Sequence, residues 1–142
     1  MNKRIAIING PNLNLLGKRE PEVYGNQSFE SVLEQAKRRF PEVELVYYQS
    51  NVEGEIINFL HQEGFSALGI VINPGGYTHT SVAIRDAISS IDAPVVEVHI
   101  SNVYQREDFR RISLTAAVCK AIISGIGTLG YFAAIEALLQ SE

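Results

Sequence analysis

Residues 67–76 read ALGIVINPGG, a near-continuous apolar run that ends in an Asn-Pro-Gly-Gly turn. An apolar run of this length without polar alternation predicts a strand that is buried on both faces. Strands of this kind are typical of parallel sheets, because helices cover both sides of such sheets. The segment from Ala67 to Ile72 therefore predicts the central strand of an α/β protein.

Apolar runs and segments with helical periodicity alternate on both sides of this strand, which is typical of βα units around a parallel sheet. We expect strands over residues 5–9, 43–49, 67–72, 94–100 and 118–124. We expect helices over residues 29–40, 82–91 and 128–140, and one more that begins at a capping-box spacing of Ser50 and Glu53 and ends near Gly64. The pattern predicts an α/β, flavodoxin-like fold, with a five-stranded parallel sheet and helices on both faces.

The composition is that of one globular domain, expected to span residues 1–142. The net charge is −4, and the one arginine cluster, within residues 106–111, is interrupted by acidic residues, so we expect no nucleic-acid binding. The apolar run at residues 5–8 is too short for a signal peptide or a membrane span. The single cysteine, Cys119, excludes an intramolecular disulfide. We therefore expect a cytoplasmic protein that binds no membrane.

Several familiar sites are not supported by the sequence. Residues 125–130, GIGTLG, have the spacing of a dinucleotide loop, but the chain ends twelve residues later, without the strand and acidic residue that would hold a ribose. A tight turn with close helix packing is the better interpretation of these glycines. The three histidines are too dispersed for a metal pair on one helix, and no nucleophile elbow of the Gly-x-Ser-x-Gly type occurs. We expect neither a metal nor another cofactor.

Ligands of doubly wound sheets bind beyond the carboxyl ends of the strands. Here those ends lead into segments 9–25, 73–79 and 99–111, which are rich in Arg, Asn, His and Tyr. Such groups fit a small anionic, hydroxylated ligand. Glu97 and His99 lie on the same side of one predicted strand, so the carboxylate can orient the imidazole for general acid catalysis. The first of these segments is long for a connection, and its length is typical of an active-site lid.

Four long motifs, in this order along the chain, resemble type II 3-dehydroquinate dehydratase. They are INGPNLNLLG at residues 8–17 with REP at 19–21 and YG at 24–25, QSNVEG at 49–54, NPGGYTHTS at 73–81, and EVHISN at 97–102. The likeness extends from about residue 4 to residue 139. It implies dehydration of 3-dehydroquinate to 3-dehydroshikimate through an enolate, by anti elimination, with no metal, cofactor or Schiff base.

The resemblance also implies a role for particular residues. Tyr24 would be the general base, and the nearby cation of Arg19 would lower the pKa of its phenol and stabilise the transition state. Asn12 would hold the water that stabilises the enolate oxygen. His99 would give its proton to the departing hydroxyl, and Glu97 would orient His99.

The implied binding residues are Ile100 and Ser101 for the carboxylate of the substrate, and Asn73, His79 and Arg110 for its ring hydroxyls. Asp86 would reach the site from a neighbouring subunit, because the family forms trimers grouped as a dodecamer. A surface salt bridge with an arginine is the other interpretation of Asp86. The alternative for the whole chain is a non-catalytic flavodoxin-like module that binds a small hydroxylated carboxylate.

Overall fold

The structure, a computed structural model, describes residues 3–18, 22 and 27–141. The strands are β1 (Lys3–Asn9), β2 (Val43–Gln49), β3 (Gly69–Asn73), β4 (Val95–His99) and β5 (Ala121–Ser124). The helices described here are α1 (Phe29–Arg39), α2 (Glu53–Glu63), α3 (Val82–Ser90) and α4 (Leu129–Gln140). None of the helices in the described part of the chain is long and apolar enough to cross a membrane.

All strand pairs of the sheet are parallel, and the strand order is β2-β1-β3-β4-β5. This is the flavodoxin-like order, so the predicted fold class is confirmed. The register brings polar residues together where the strands end. Asn9, the last residue of β1, pairs with Gln49 of β2 and Asn73 of β3. Polar side chains from three strands therefore meet at the carboxyl edge of the sheet.

Alternate residues of the strands build two separate apolar cores. Ile5 and Ile7 of β1 face α1 and α4, in a core that also contains Tyr131 and Ile135. Ala6 and Ile8 face α2 and α3. Because both faces of the central strands are covered, β3 is entirely buried, as the apolar run at residues 67–72 predicted.

The capping box predicted at Ser50 is wrong. Helix α2 begins at Glu53, and its N-cap residue is Val52, which makes no side-chain cap. The Ser50 hydroxyl accepts a hydrogen bond from the Val52 N–H at 2.9 Å and donates to the carboxylate of Glu55. Glu53 instead accepts a hydrogen bond from the hydroxyl of Ser81, the N-cap residue of α3. The two helix starts are therefore linked to each other.

Two predicted strands begin two or more residues later than expected. The N–H of Ala67 donates to the carbonyl of Glu63 at 2.9 Å, so this residue completes the end of α2 and β3 begins at Gly69. Residues Ala116–Val118 form a 3-10 turn, and β5 consequently contains only Ala121–Ser124.

The glycines of the GIGTLG segment serve a tight turn, as predicted. Gly125 and Gly127 have φ angles of +95° and +64°, a region that side chains disfavour. Their N–H groups donate to the carbonyls of His99 and Ile100 at 3.1 and 3.0 Å. A Cβ atom at Gly130 would lie 3.0 Å from the side chain of Val98. The turn is thus fastened to the end of β4.

Candidate active site

A cleft lies at the carboxyl edge of the sheet, above the ends of β1, β3 and β4. The residues that line it are Pro11, Asn12, Leu13, Asn73, Gly75, Gly76, His79, His99, Ile100, Ser101, Val103, Arg106 and Arg110. Parallel strands place the residues that follow them at one edge, which is why segments distant in sequence meet here. Most of the residues proposed from sequence are in this set: Asn12, Asn73, His79, His99, Ile100, Ser101 and Arg110.

Of the other predicted residues, Glu97 and Asp86 do not line this cleft. Glu97 lies directly behind His99 and is fully buried. Asp86 is exposed on α3, where its carbonyl accepts a hydrogen bond from the Ser90 hydroxyl at 2.7 Å, and the described residues supply it with no ion pair. Arg19 and Tyr24 lie outside the described residues, so their roles stay predictions.

His99 is paired with Glu97, as their spacing predicted. The Nε2 atom of His99 lies 2.7 Å from an oxygen of Glu97, and His99 is itself buried. The hydroxyls of Thr78 and Ser113 donate to the same carboxylate oxygen at 3.0 and 2.9 Å, and the hydroxyl of Thr115 donates to the other oxygen.

These contacts control the charge of Glu97. Burial alone would raise the pKa of its carboxyl group, but hydrogen bonds from His99, Thr115 and Ser113 outweigh burial and hold the pKa below its ordinary value. Glu97 is therefore an anion at neutral pH, and a carboxylate in this position stabilises a proton shared with the imidazole. The second ring nitrogen of His99 is left for the cleft.

One ring nitrogen of His79 is bound to the backbone, which leaves the other ring nitrogen as a hydrogen-bond acceptor. Its Nδ1 lies 2.7 Å from the carbonyl oxygen of Ile112, so Nδ1 carries the proton and donates it there. The ring of Phe109 packs edge-on at 6.3 Å. The remaining nitrogen of the neutral ring can accept a hydrogen bond from a ligand hydroxyl.

Asn73 is fixed at the floor of the cleft by a buried network. Its amide NH₂ donates to the hydroxyl of Tyr131 at 3.0 Å, and its amide oxygen accepts from the N–H of Gly75 at 3.1 Å. Tyr131 in turn donates to Asn9 at 2.8 Å. Burial of Tyr131 raises the pKa of its phenol, so the phenol stays protonated. One amide hydrogen and one lone pair of Asn73 are left for a ligand.

Asn12 adopts a left-handed backbone conformation with φ of 71°, unique among the described non-glycine residues. Its N–H donates to the side-chain oxygen of Asn51 at 3.0 Å. Gln49 donates to the same oxygen at 3.2 Å, and Tyr77 donates to the carbonyl of Asn51 at 2.9 Å. The QSN segment thus supports Asn12 from the next strand, a role that the sequence did not predict.

The cationic side of the cleft comes from the segment that follows β4. Arg110 donates to the exposed Glu107 at 2.8 Å and stacks over Phe109, 5.0 Å from the ring centroid. Arg106 also lines the cleft, but the sequence assigned it no role. The interrupted arginine cluster at residues 106–111 is the sequence signal that could have identified it. Two guanidinium groups beside the amides of Asn12 and Asn73 suit an anionic ligand with hydroxyl groups.

A doubly wound sheet with a polar, cationic cleft and a buried Glu-His pair at its strand ends defines an α/β protein with a small-molecule site. Among residues 3–18, 22 and 27–141, no group of three His, Cys, Asp or Glu side chains is arranged to ligate a metal ion. Residues 3–139 match the family model described as "Dehydroquinase class II". The chain belongs to this family.

Named relatives and solved structures agree with this assignment. A 3-dehydroquinate dehydratase of Exiguobacterium sp. is 55% identical over 96% of this chain and 94% of its own length. Another, from Halothermothrix orenii, is 52% identical over the same shares of the two chains. The crystal structure of the type II dehydroquinase from Butyrivibrio crossotus superposes with a TM-score of 0.94 at 47% identity, covering 97% of this chain and 98% of the other.

Proposed function

We propose that this chain catalyses the dehydration of 3-dehydroquinate to 3-dehydroshikimate, a step of the shikimate pathway. It is then a hydro-lyase. The observation that carries the proposal is the His99–Glu97 pair, held at 2.7 Å at the wall of a cationic cleft in a chain of the dehydroquinase class II family.

In this reaction a base removes the proton next to the ketone, and the electron pair moves to the ketone oxygen to form an enolate. The enolate then collapses, the double bond forms, and the adjacent hydroxyl leaves with a proton as water. His99 supplies that proton, because its ring reaches the cleft and is backed by the buried anion of Glu97. Tyr24 is the base, and Arg19 supplies the cation that lowers the pKa of the Tyr24 phenol.

The enolate and the substrate are held by groups from several loops. Asn12 holds the water that stabilises the enolate oxygen, and its left-handed backbone lies near the start of the segment that follows β1. Ile100 and Ser101 bind the carboxylate of the substrate. Asn73, His79 and Arg110 bind the ring hydroxyls, and the free nitrogen of His79 is an acceptor of the kind a hydroxyl requires.

Asp86 acts in the site of a neighbouring subunit. Its carboxylate is exposed on α3 and is not engaged by an ion pair in the described part of the chain, which leaves it available to a second copy. The active assembly is a trimer, four of which form a dodecamer, and the enzyme works in the cytoplasm as one catalytic domain per chain.

The test is a direct assay of the purified protein with 3-dehydroquinate. The product contains a conjugated enone, so its ultraviolet absorbance should rise with time, and neither a metal chelator nor borohydride should slow the rise. A protein that binds 3-dehydroquinate but leaves it unchanged would instead be the non-catalytic carboxylate-binding module.

A further inference from the structure

Three hydroxyl groups surround the carboxylate of Glu97, and the proposed reaction gives them no role. They belong to Thr78, Ser113 and Thr115, named here the hydroxyl cage. Thr78, Thr115 and Glu97 each have no exposed surface. The oxygen of Thr78 lies 2.9 Å from that of Ser113 and 2.7 Å from that of Thr115. Ser113 is half-buried, and every member of the cage contacts the carboxylate.

The hydroxyls of the cage suit an ionised Glu97, because all three are placed to donate to its carboxylate. Each hydroxyl has one proton to donate, and the Ser113 oxygen already accepts a hydrogen bond from the N–H of Ala116 at 2.9 Å. The carboxylate offers lone pairs on both oxygens, which these protons and the N–H of His99 satisfy. In the described part of the chain, no buried side-chain oxygen or nitrogen lacks a partner. A network of this kind stabilises a buried charge only while it is complete.

The titratable groups that face Glu97 are His99, on the same strand, and Cys119, in the segment before β5. Burial, and to a smaller degree the charge of Glu97, raises the pKa of the Cys119 thiol to about 12. The thiol is therefore neutral at the pH of catalysis and supplies no charge. The lowered pKa of Glu97 then follows from the hydrogen bonds of His99, Thr115 and Ser113 and from the electrostatic interaction with His99.

The cage also connects the His99–Glu97 pair to the two loops that are proposed to bind the substrate. Thr78 lies in the 3-10 turn Gly75–His79, and Ser113 and Thr115 follow the turn Asp108–Arg111. The N–H of Leu114 donates to the carbonyl of Thr78 at 2.7 Å, which ties the two segments together. Any displacement of the cage would therefore move Glu97 relative to His79 and Arg110.

From this geometry we infer that Thr78, Ser113 and Thr115 are positioning residues for the dehydration. Their hydroxyls hold the Glu97 carboxylate, and through it the imidazole of His99, in the orientation that directs the acidic proton toward the departing hydroxyl. The inference rests on the proposed function and adds to it residues that act through Glu97.

The test compares two substitutions at one position. Thr115→Val keeps the shape of the side chain but removes the hydroxyl, while Thr115→Ser keeps the hydroxyl. We expect Thr115→Val to lower kcat about 10-fold, the scale for one lost hydrogen bond to a charged group, with KM changed less than about 3-fold. The acidic limb of the pH dependence of kcat should move to higher pH, because Glu97 then protonates more readily. Thr115→Ser should restore most of kcat, and the acidic limb of its pH dependence should return to the wild-type position.

The control is Thr80→Val, the same change at an exposed threonine outside the lining of the cleft, which should behave like wild type. Ser113→Ala serves as a second cage variant if Thr115→Val does not fold. The N–H proton that His99 shares with Glu97 can be followed independently by NMR, and its resonance should shift in Thr115→Val and return in Thr115→Ser.

The outcomes separate this inference from the proposed function. A wild-type protein without any dehydratase activity would contradict the function and, with it, the role of the cage. An active wild type, together with cage variants that keep the wild-type kcat, acidic limb and His99 resonance, would contradict the cage alone. Equal losses of kcat in Thr115→Val and Thr115→Ser would also contradict it, because the hydroxyl would then not be the group that matters.

Discussion

His99 and Asn12 face the same cleft, but the two sides on which they lie are built in different ways. His99 is buried and backed by Glu97 and the hydroxyl cage, in which every polar group has a partner. Asn12 is exposed, and its backbone N–H is held by a single side chain, Asn51, which is itself exposed. The side of the proposed acid, His99, is therefore preorganised by buried contacts. The proposed enolate side, at Asn12, depends instead on exposed hydrogen bonds that exchange readily with water.

The largest expected effect is on the acid side. His99→Ala removes the proposed general acid, and we expect kcat to fall by about 10³-fold, within the range of general acid catalysis. The enone assay measures this directly. His61→Ala, at an exposed position of α2, is the matched control and should keep wild-type turnover. Turnover within a few fold of wild type in His99→Ala would assign the acid to another group.

In the loop that follows β1, Tyr24→Phe removes the proposed base. Turnover should fall by at least about 10²-fold, the usual size of a general-base contribution, while the substrate is still bound. Tyr104→Phe, the same change at an exposed tyrosine, should leave kcat unchanged. Near-wild-type turnover in Tyr24→Phe would mean that the base is misassigned.

A smaller effect is expected where Asn51 supports Asn12. Asn51→Ala removes the oxygen that accepts the Asn12 N–H, and loss of one exposed hydrogen bond should lower kcat about 5-fold. Because Asn51 acts through Asn12, the same change should have no further effect in an Asn12→Ala background. Asn14→Ala, at another exposed asparagine of the same turn, is the control. Additive losses in the double variant would show that the two residues act independently.

The smallest expected effect is on the free energy of unfolding. It distinguishes the buried side of the cleft, at Glu97, from the exposed side, at Asn12. The pKa of Glu97 is lowered in the folded protein, so its ionised form stabilises the fold above the ordinary glutamate pKa of about 4.3. This stabilisation is lost as the pH falls through the lowered value. Glu97→Gln should therefore flatten the acid dependence of the free energy of unfolding.

Urea unfolding at several pH values between neutral and acid measures this dependence. Asn12→Ala, at an exposed position, should keep the wild-type dependence of the free energy of unfolding on pH. A Glu97→Gln variant with the same slope as wild type would mean that the cage does not stabilise the carboxylate.

The placement of Glu97 and His99 could be predicted from the sequence, but the placement of the hydroxyl groups around Glu97 could not. The apolar run of β4 placed Glu97 and His99 on one side, because side chains alternate along a strand. The ends of β1, β3 and β4 could be brought together because parallel strands share an edge. The sequence could not place Ser113 or Thr115 beside Glu97, since that contact depends on how a loop of 3-10 turns folds back over the strand end.

The enolate side was predicted less completely. The length of the first loop segment indicated a functional loop, but the left-handed turn at Asn12 and its support by Asn51 are tertiary features. At Ser50 the local pattern was misleading, because its hydroxyl is taken by Val52 and Glu55. The role proposed for Asp86 would require a second subunit, which no pattern within one chain can place.

The central claim is that base and acid act from opposite faces of the substrate, the loop side and the strand side. The most direct measurement uses 3-dehydroquinate that carries deuterium at C2, on the face opposite the departing hydroxyl. With anti elimination, mass spectrometry of the 3-dehydroshikimate should show that this deuterium has been lost to solvent. Product that retains the deuterium would mean that both groups leave from the same face, and would contradict the account.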